Sequence, residues 1–212
     1  ILKKQIYGLN KLKYINNNSE EINATIVKRS LRIASYASNL TQESNNDYKF
    51  NFADFETESI YILKTLEKIS SLLNSQKTAY SSVFKEDISW NSLETSPFII
   101  SYGKVFEIEI DLSIAQWIRK NLGINLPEYY NLHQPNLNVR YLPKIKNPKP
   151  IDFNSEKNGK LLLPGLGQTE LAFYDFKNTF INEQNWQVKI VEDFVNSWRI
   201  IRELRNKAGH ID

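Results

Sequence analysis

Arg205, Asn206 and His210 stand close together in the closing stretch RELRNKAGHID, residues 202–212. Their types suit acid–base chemistry beside an anion. An imidazole titrates near ~6.5 and can take or give a proton at neutral pH. A guanidinium keeps its charge and grips anions through a planar fork of donors. His210 is one of only two histidines in the chain.

The helix that carries this set must come first in any reading of it. Gln187 to about Gly209 is apolar at helical spacing. At ~100° per residue, with Val188 at zero, Val191, Phe194, Val195, Trp198 and Ile201 cluster around ~270° as a buried stripe. Arg205 falls near ~260°, where the next apolar residue belongs. Arg202, Asn206 and His210, spaced i, i+4, i+8, run down one edge of that stripe. An arginine in an apolar seam costs several kcal/mol unless it is paired or reaches water. Taken alone, Arg205 reads as a structural ion pair or as a side chain snorkelling off the helix end. Glu107 and Asp111, i and i+4 on an earlier helix, are its best-placed partners. His210 taken alone reads as a residue suited to a helix C-terminus.

The other elements are also mostly helical. Ser19 to Asn39 has Glu20 and Glu21 in its first turn, with Ile22, Ile26, Ile33 and Ala37 as its stripe. Asn51 to about Phe84 repeats Phe52, Phe55, Ile62, Leu66, Ile69 and Leu73. Ser96-Pro97 is a helix start, and the pattern predicts one helix from there to Gly123. The alternating FEIEID within it looks like a strand, but the surrounding 3.6-residue period favours helix. Thr169 to Ile181 is a further helix. The fold expected is all-α, a helical bundle with an N-terminal helical region over 1–95 and a helical domain over 96–212. A long irregular Pro/Asn-rich loop, 124–167, interrupts the second part.

Composition removes several classes. The chain has 212 residues, 41% of them apolar, with a mean hydropathy of −0.46. No run of ~18 apolar residues is present to span a membrane, and no signal peptide opens the chain. No membrane partner is expected, and the cytoplasm is the expected location. There is no cysteine, hence no disulfide and no thiolate. Two histidines without cysteine do not make a zinc site, so neither a metal nor a cofactor is expected. PGLGQTE contains G-x-G but lacks the Lys-Ser/Thr of a phosphate loop. Methionine is absent even at position 1. The expectation is a piece of a longer protein, with other domains among its partners.

Arg205-Asn206 followed by His210 is similar to the R-N-x-x-x-H form of the R-x4-6-H motif of HEPN domains, as found in bacterial defence and toxin proteins. VEDFVNSWRIIRELRNKAGH resembles the motif helix of that family, and SYGKVFEIEIDLSIAQWIRK resembles an earlier helix bearing acidic residues that face the motif. The resemblance covers roughly Ser96 to Asp212, a little over half the chain. It implies metal-independent cleavage of RNA. His210 would act as general base on the ribose 2′-hydroxyl or as acid on the leaving 5′-oxygen. Arg205 would hold the phosphate and stabilise its developing charge. Asn206 would orient His210. Glu107 or Asp111 would fix the arginine, with Arg202 in support. It also implies a further helix after the motif, absent from this chain. The alternative is a catalytically silent module of the same shape, which dimerises or docks RNA or a partner domain.

Arg205 and His210 lie ~140° apart around one straight helix, so one helix cannot easily aim both at one phosphate. A break at Gly209 would resolve this; so would a homodimer meeting through the motif helix, which is favoured here. Elsewhere, Arg140 to Lys160 holds six basic residues against Asp152 and Glu156, flanked by Tyr129, Tyr130, Tyr141 and Phe153. Arg140, Lys144, Lys146 and Lys149 are candidates for RNA contact; a solvated linker is the plainer reading. His133 reads as a loop residue.

Overall fold

A computed structural model describes residues 19–41, 55–84 and 96–209. Among the described residues, seven helices and four short strands follow one another: α1 (Ser19–Thr41), α2 (Thr57–Phe84), α3 (Ser96–Leu112), α4 (Ile114–Asn121), α5 (Leu126–Tyr129), β1 (Arg140–Tyr141), β2 (Ile151–Asp152), β3 (Ser155–Lys157), β4 (Lys160–Leu162), α6 (Leu166–Gln184) and α7 (Val188–Gly209). The architecture is all-α.

The stripe expected on the last helix is the one that is buried. Val191, Phe194, Val195, Trp198 and Ile201 face inward, and α7 packs against α1, α3 and α6. Phe106 of α3 meets Phe194 and Trp198, and Phe173 of α6 meets the same two rings, with centroids 5.6–6.4 Å apart across this group. Each such side chain contributes about 1.5–3 kcal/mol by burial, and ring pairs add roughly 0.5–1.5 more. This aromatic centre fixes α7, and so the placement of the motif arginines. Ile22, Ile26 and Ile33 of α1 join the same core as α3 and α7, so residues on both sides of the division placed near Ser96 share one interior.

The helix expected from Ser96 to Gly123 is broken at Ser113. Its hydroxyl donates to the Glu109 carbonyl at 2.6 Å, and its N–H reaches Ile110, three residues back, at 3.2 Å. A serine bonding its own helix in this way competes with the regular ladder. Its backbone leaves helical geometry (φ −122°, ψ −83°), and α4 starts at Ile114. The second predicted helix starts later than expected, at Thr57; Phe55 precedes it and is buried. Phe52 lies outside the described residues. Ile69, expected in the stripe of α2, is exposed. It lines an apolar groove of about 510 Å³ with Tyr61, Pro97 and Phe98.

Glu109 and Arg119 are charged groups buried in the bundle. Glu109 accepts from the Ser59 hydroxyl and the Glu56 N–H, both at 2.8 Å, and from Arg29 at 3.5 Å. It ties α3 to α1 and to the start of α2. Arg119, fully buried on α4, donates to Gln116 Oε1 (2.7 Å), to the carbonyls of Tyr129 (3.3 Å) and Leu132 (2.8 Å), and to Asn154 Oδ1 (3.3 Å).

The Pro/Asn-rich span folds over that staple as α5 and two antiparallel pairs. Arg140 faces Asp152 and Tyr141 faces Ile151; Ser155 faces Leu162, Glu156 faces Leu161 and Lys157 faces Lys160. Asn131, Asn136, Asn147 and Asn158 all take left-handed backbone. Asparagine tolerates that region better than other side chains, which gives the composition its physical reason.

Candidate functional site

Arg205 and Arg202 strap the end of α7 to its two neighbours. Arg205 donates to both carboxylate oxygens of Glu107 on α3, Nη1 to Oε1 at 3.4 Å and Nη2 to Oε2 at 2.9 Å. Both groups are partly shielded, at 30% and 19% side-chain exposure. A fork-on-fork pair fixes orientation as well as distance. Arginine carries five N–H donors, so this pair leaves donors to spare on the guanidinium. Lys104 approaches Glu107 from within α3 at 3.8 Å.

Asp111, the other carboxylate expected near Arg205, lies within its electrostatic reach. Burial pushes its carboxyl up to about 7, and the Glu107 charge adds to this; Lys104 and Arg205 pull the other way. Of the two candidates, Glu107 makes the direct contact.

Arg202 turns the other way, to a partner the sequence pattern did not single out. Its Nη1 lies 2.6 Å from Glu170 Oε2 on α6, and Arg199 Nε lies 3.6 Å from Oε1 of the same carboxylate. Glu170 is buried, and burial raises its pKa against the pull of the two arginines. The signal for it was present. Glu170 sits with Leu166, Thr169, Phe173 and Phe180 at helical spacing, a charge in an apolar face as Arg205 is.

Asn206 is exposed on α7. The helix runs to Gly209, and His210 lies outside the described residues. Arg205, Glu107 and Asp111 are therefore brought together, while Arg202 stands on the α6 side with Glu170.

The basic candidates lie on the irregular span before α6, not on the motif helix. Lys144, Lys146 and Lys149 are exposed, and Arg140 reaches Asp152 at 3.9 Å. Their segment docks on α6 through Asp175, which accepts from the Tyr141 hydroxyl and from the Lys144 N–H, both at 2.8 Å. The four flanking aromatics divide, with Tyr129 and Tyr141 half-buried. Tyr130 and Phe153 are buried in the core, and Tyr141 lies against Phe176 at 4.9 Å. Apolar burial claims two of the four rings, Tyr130 and Phe153, while the lysine side chains of the segment stay exposed.

Among the described residues no group of three or more His, Asp or Glu side chains is arranged to hold a metal ion, and no helix is long and apolar enough to cross a membrane. No family model, no curated protein and no solved structure matches the chain.

Proposed function

We propose that this chain is a HEPN-type, metal-independent endoribonuclease, working in the cytoplasm as part of a bacterial defence or toxin protein. The observation that carries the reading is the state of Arg205. It is held bidentately by Glu107, part-exposed, and stands five residues before the only histidine of the motif. In the proposed reaction His210 takes the proton of a ribose 2′-hydroxyl. The O2′–P bond forms and the P–O5′ bond breaks. O5′ leaves with a proton from an imidazolium or from solvent, giving a 2′,3′-cyclic phosphate and a 5′-hydroxyl. Arg205 neutralises charge on the non-bridging oxygens, with its placement preset by Glu107. Two copies meeting through α7 would complete the cleft, and Lys144, Lys146 and Lys149 would add salt-sensitive contacts to the RNA backbone.

One observation favours the competing reading, a silent helical module for dimerisation or for docking RNA or a partner: the same Glu107 pair also serves as a purely structural strap. One assay separates them. Single-stranded RNA is incubated in EDTA with the wild type, His210→Ala and Arg205→Ala. Cyclic-phosphate ends are expected from the wild type, with a loss of at least ~10²-fold in either variant, and DNA of the same sequence should survive. Absence of cleavage by the wild type, or equal cleavage by all three, overturns the ribonuclease reading.

A further inference from the structure

Gly103 lies in the interior of α3, where glycine is a poor helix residue, and it is buried. Its φ is outside the left-handed region, so the backbone alone does not call for glycine there. Space does. A methyl group at this position would stand 2.8 Å from Arg205 Cδ, 3.0 Å from Cγ and 3.2 Å from Cβ. The aliphatic stem of Arg205 therefore lies directly across the bare backbone of Gly103, and its head reaches Glu107 one turn further along the same helix.

The three contacts differ in how they can relax. Turning χ1 of Arg205 would move Cγ and Cδ away, but it would also swing the guanidinium off Glu107, because the stem is what delivers it there. The Cβ atom is fixed by the α7 backbone and cannot turn aside, so relief at that point needs the two helices to shift. Gly167, beneath Arg202, is an internal contrast. A methyl there would meet Arg202 Cδ at 3.4 Å and Nη1 at 3.7 Å, which is ordinary contact.

We propose that Gly103 is a positioning residue: its missing side chain is the groove that lays the Arg205 stem across α3 and sets the guanidinium on Glu107. The coupling of Gly103 to Arg205 stands on geometry alone; its consequence for RNA cleavage rests on the ribonuclease reading above.

The test is a double-mutant cycle on the 212-residue chain. Gly103→Ala is made in the wild type and in Arg205→Ala, with Gly167→Ala as control. Thermal melts and the NMR signals of the Arg205 guanidinium N–H groups are recorded. In the wild type, Gly103→Ala should lower Tm by about 3–6 °C and shift or broaden the guanidinium signals. In Arg205→Ala, where only the 3.2 Å Cβ contact remains, the same change should lower Tm by clearly less, since the Cγ and Cδ clashes are gone and alanine is the better helix residue. Gly167→Ala should leave both readouts in place. Should Gly103→Ala alone fail to fold, a folded Gly103→Ala/Arg205→Ala double variant supports the coupling. An equal loss of Tm in both backgrounds overturns it. Where the wild type cleaves RNA, Gly103→Ala should cut the rate at least tenfold; a folded Gly103→Ala protein cleaving at the wild-type rate overturns the positioning role. A wild type that does not cleave sinks the ribonuclease reading, while the melts and the guanidinium signals still decide the Gly103–Arg205 coupling.

Discussion

Asp111 shows how much the surroundings of Arg205 constrain a neighbouring charge. Its carboxyl titrates near 7 because it is buried and stands near Glu107. The unfolded chain has lost the same proton above about 3.8. Stability from this group is therefore fully present below about 3.8 and is lost as pH rises through about 7. Asp111→Asn is neutral throughout. It should match the wild type near pH 4 and exceed it by ~1–2 kcal/mol at pH 8, less than the full shift implies because the site is not sealed. Urea melts at the two pH values measure this; a wild type more stable than Asp111→Asn at pH 8 would mean the ionised carboxylate is a net holder of Arg205. At this scale the sequence disclosed offences against pattern. Arg205 inside an apolar stripe is visible from spacing alone, and so is Glu170 among Thr169 and Phe173. Which charge answers which is set by how helices slide against one another. Spacing proposed Glu107 and Asp111 together for Arg205, and only the packing of α3 on α7 separates contact from proximity.

Helical elements were legible because their period is local, and their boundaries were less so. The break at Ser113 hides inside an unbroken 3.6-residue pattern, since it depends on one hydroxyl turning back to the Glu109 carbonyl. Composition marked the span 124–167 as irregular, but a search tuned to helical period passes over Asn158-Gly159. Both residues take positive φ between β3 and β4, as a tight hairpin turn demands. The staple beneath this span was illegible, because two of the partners of Arg119 are main-chain carbonyls, which any sequence would supply. Burial lowers the Arg119 pKa to about 10, and none of its hydrogen-bond partners is a carboxylate. The charge is tolerated because those partners are aimed at it. Arg119→Ala would strand the carbonyl of Leu132 and remove one donor from the Tyr129 carbonyl and from Asn154 Oδ1, which keep the N–H groups of Leu132 and Gln134. A loss of ~3 kcal/mol is expected, about 6–12 °C in Tm. Amides over 131–154 should exchange faster than those of α3 and α7 in the same variant. Uniform exchange across the chain would show that Arg119 supports the bundle generally rather than this span.

The whole molecule buries α7 among α1, α3 and α6, with the motif arginines clamped at one end of that packing. Such a clamp leaves little freedom for Arg205 to swing around its own helix, and ideal helical spacing sets positions 205 and 210 ~140° apart. Under the ribonuclease reading, the arginine of one copy then serves the histidine of the other. Mixing inactive variants tests this arrangement. In a dimer of Arg205→Ala with His210→Ala, a composite cleft that takes Arg205 from one copy and His210 from the other leaves one intact site and one doubly defective site. A cleft built within a single copy leaves none. Random reassociation makes half the dimers mixed, so a composite site should recover roughly a quarter of the wild-type cleavage rate, from two proteins that are each inactive. Dilution below the dimer dissociation constant should remove the recovered activity and the wild-type activity together. Complementation that fails while mixed dimers demonstrably form would place both residues in one copy. The 140° separation would then have to be closed by a bend of the chain after Arg205, with Gly209 its most permissive point.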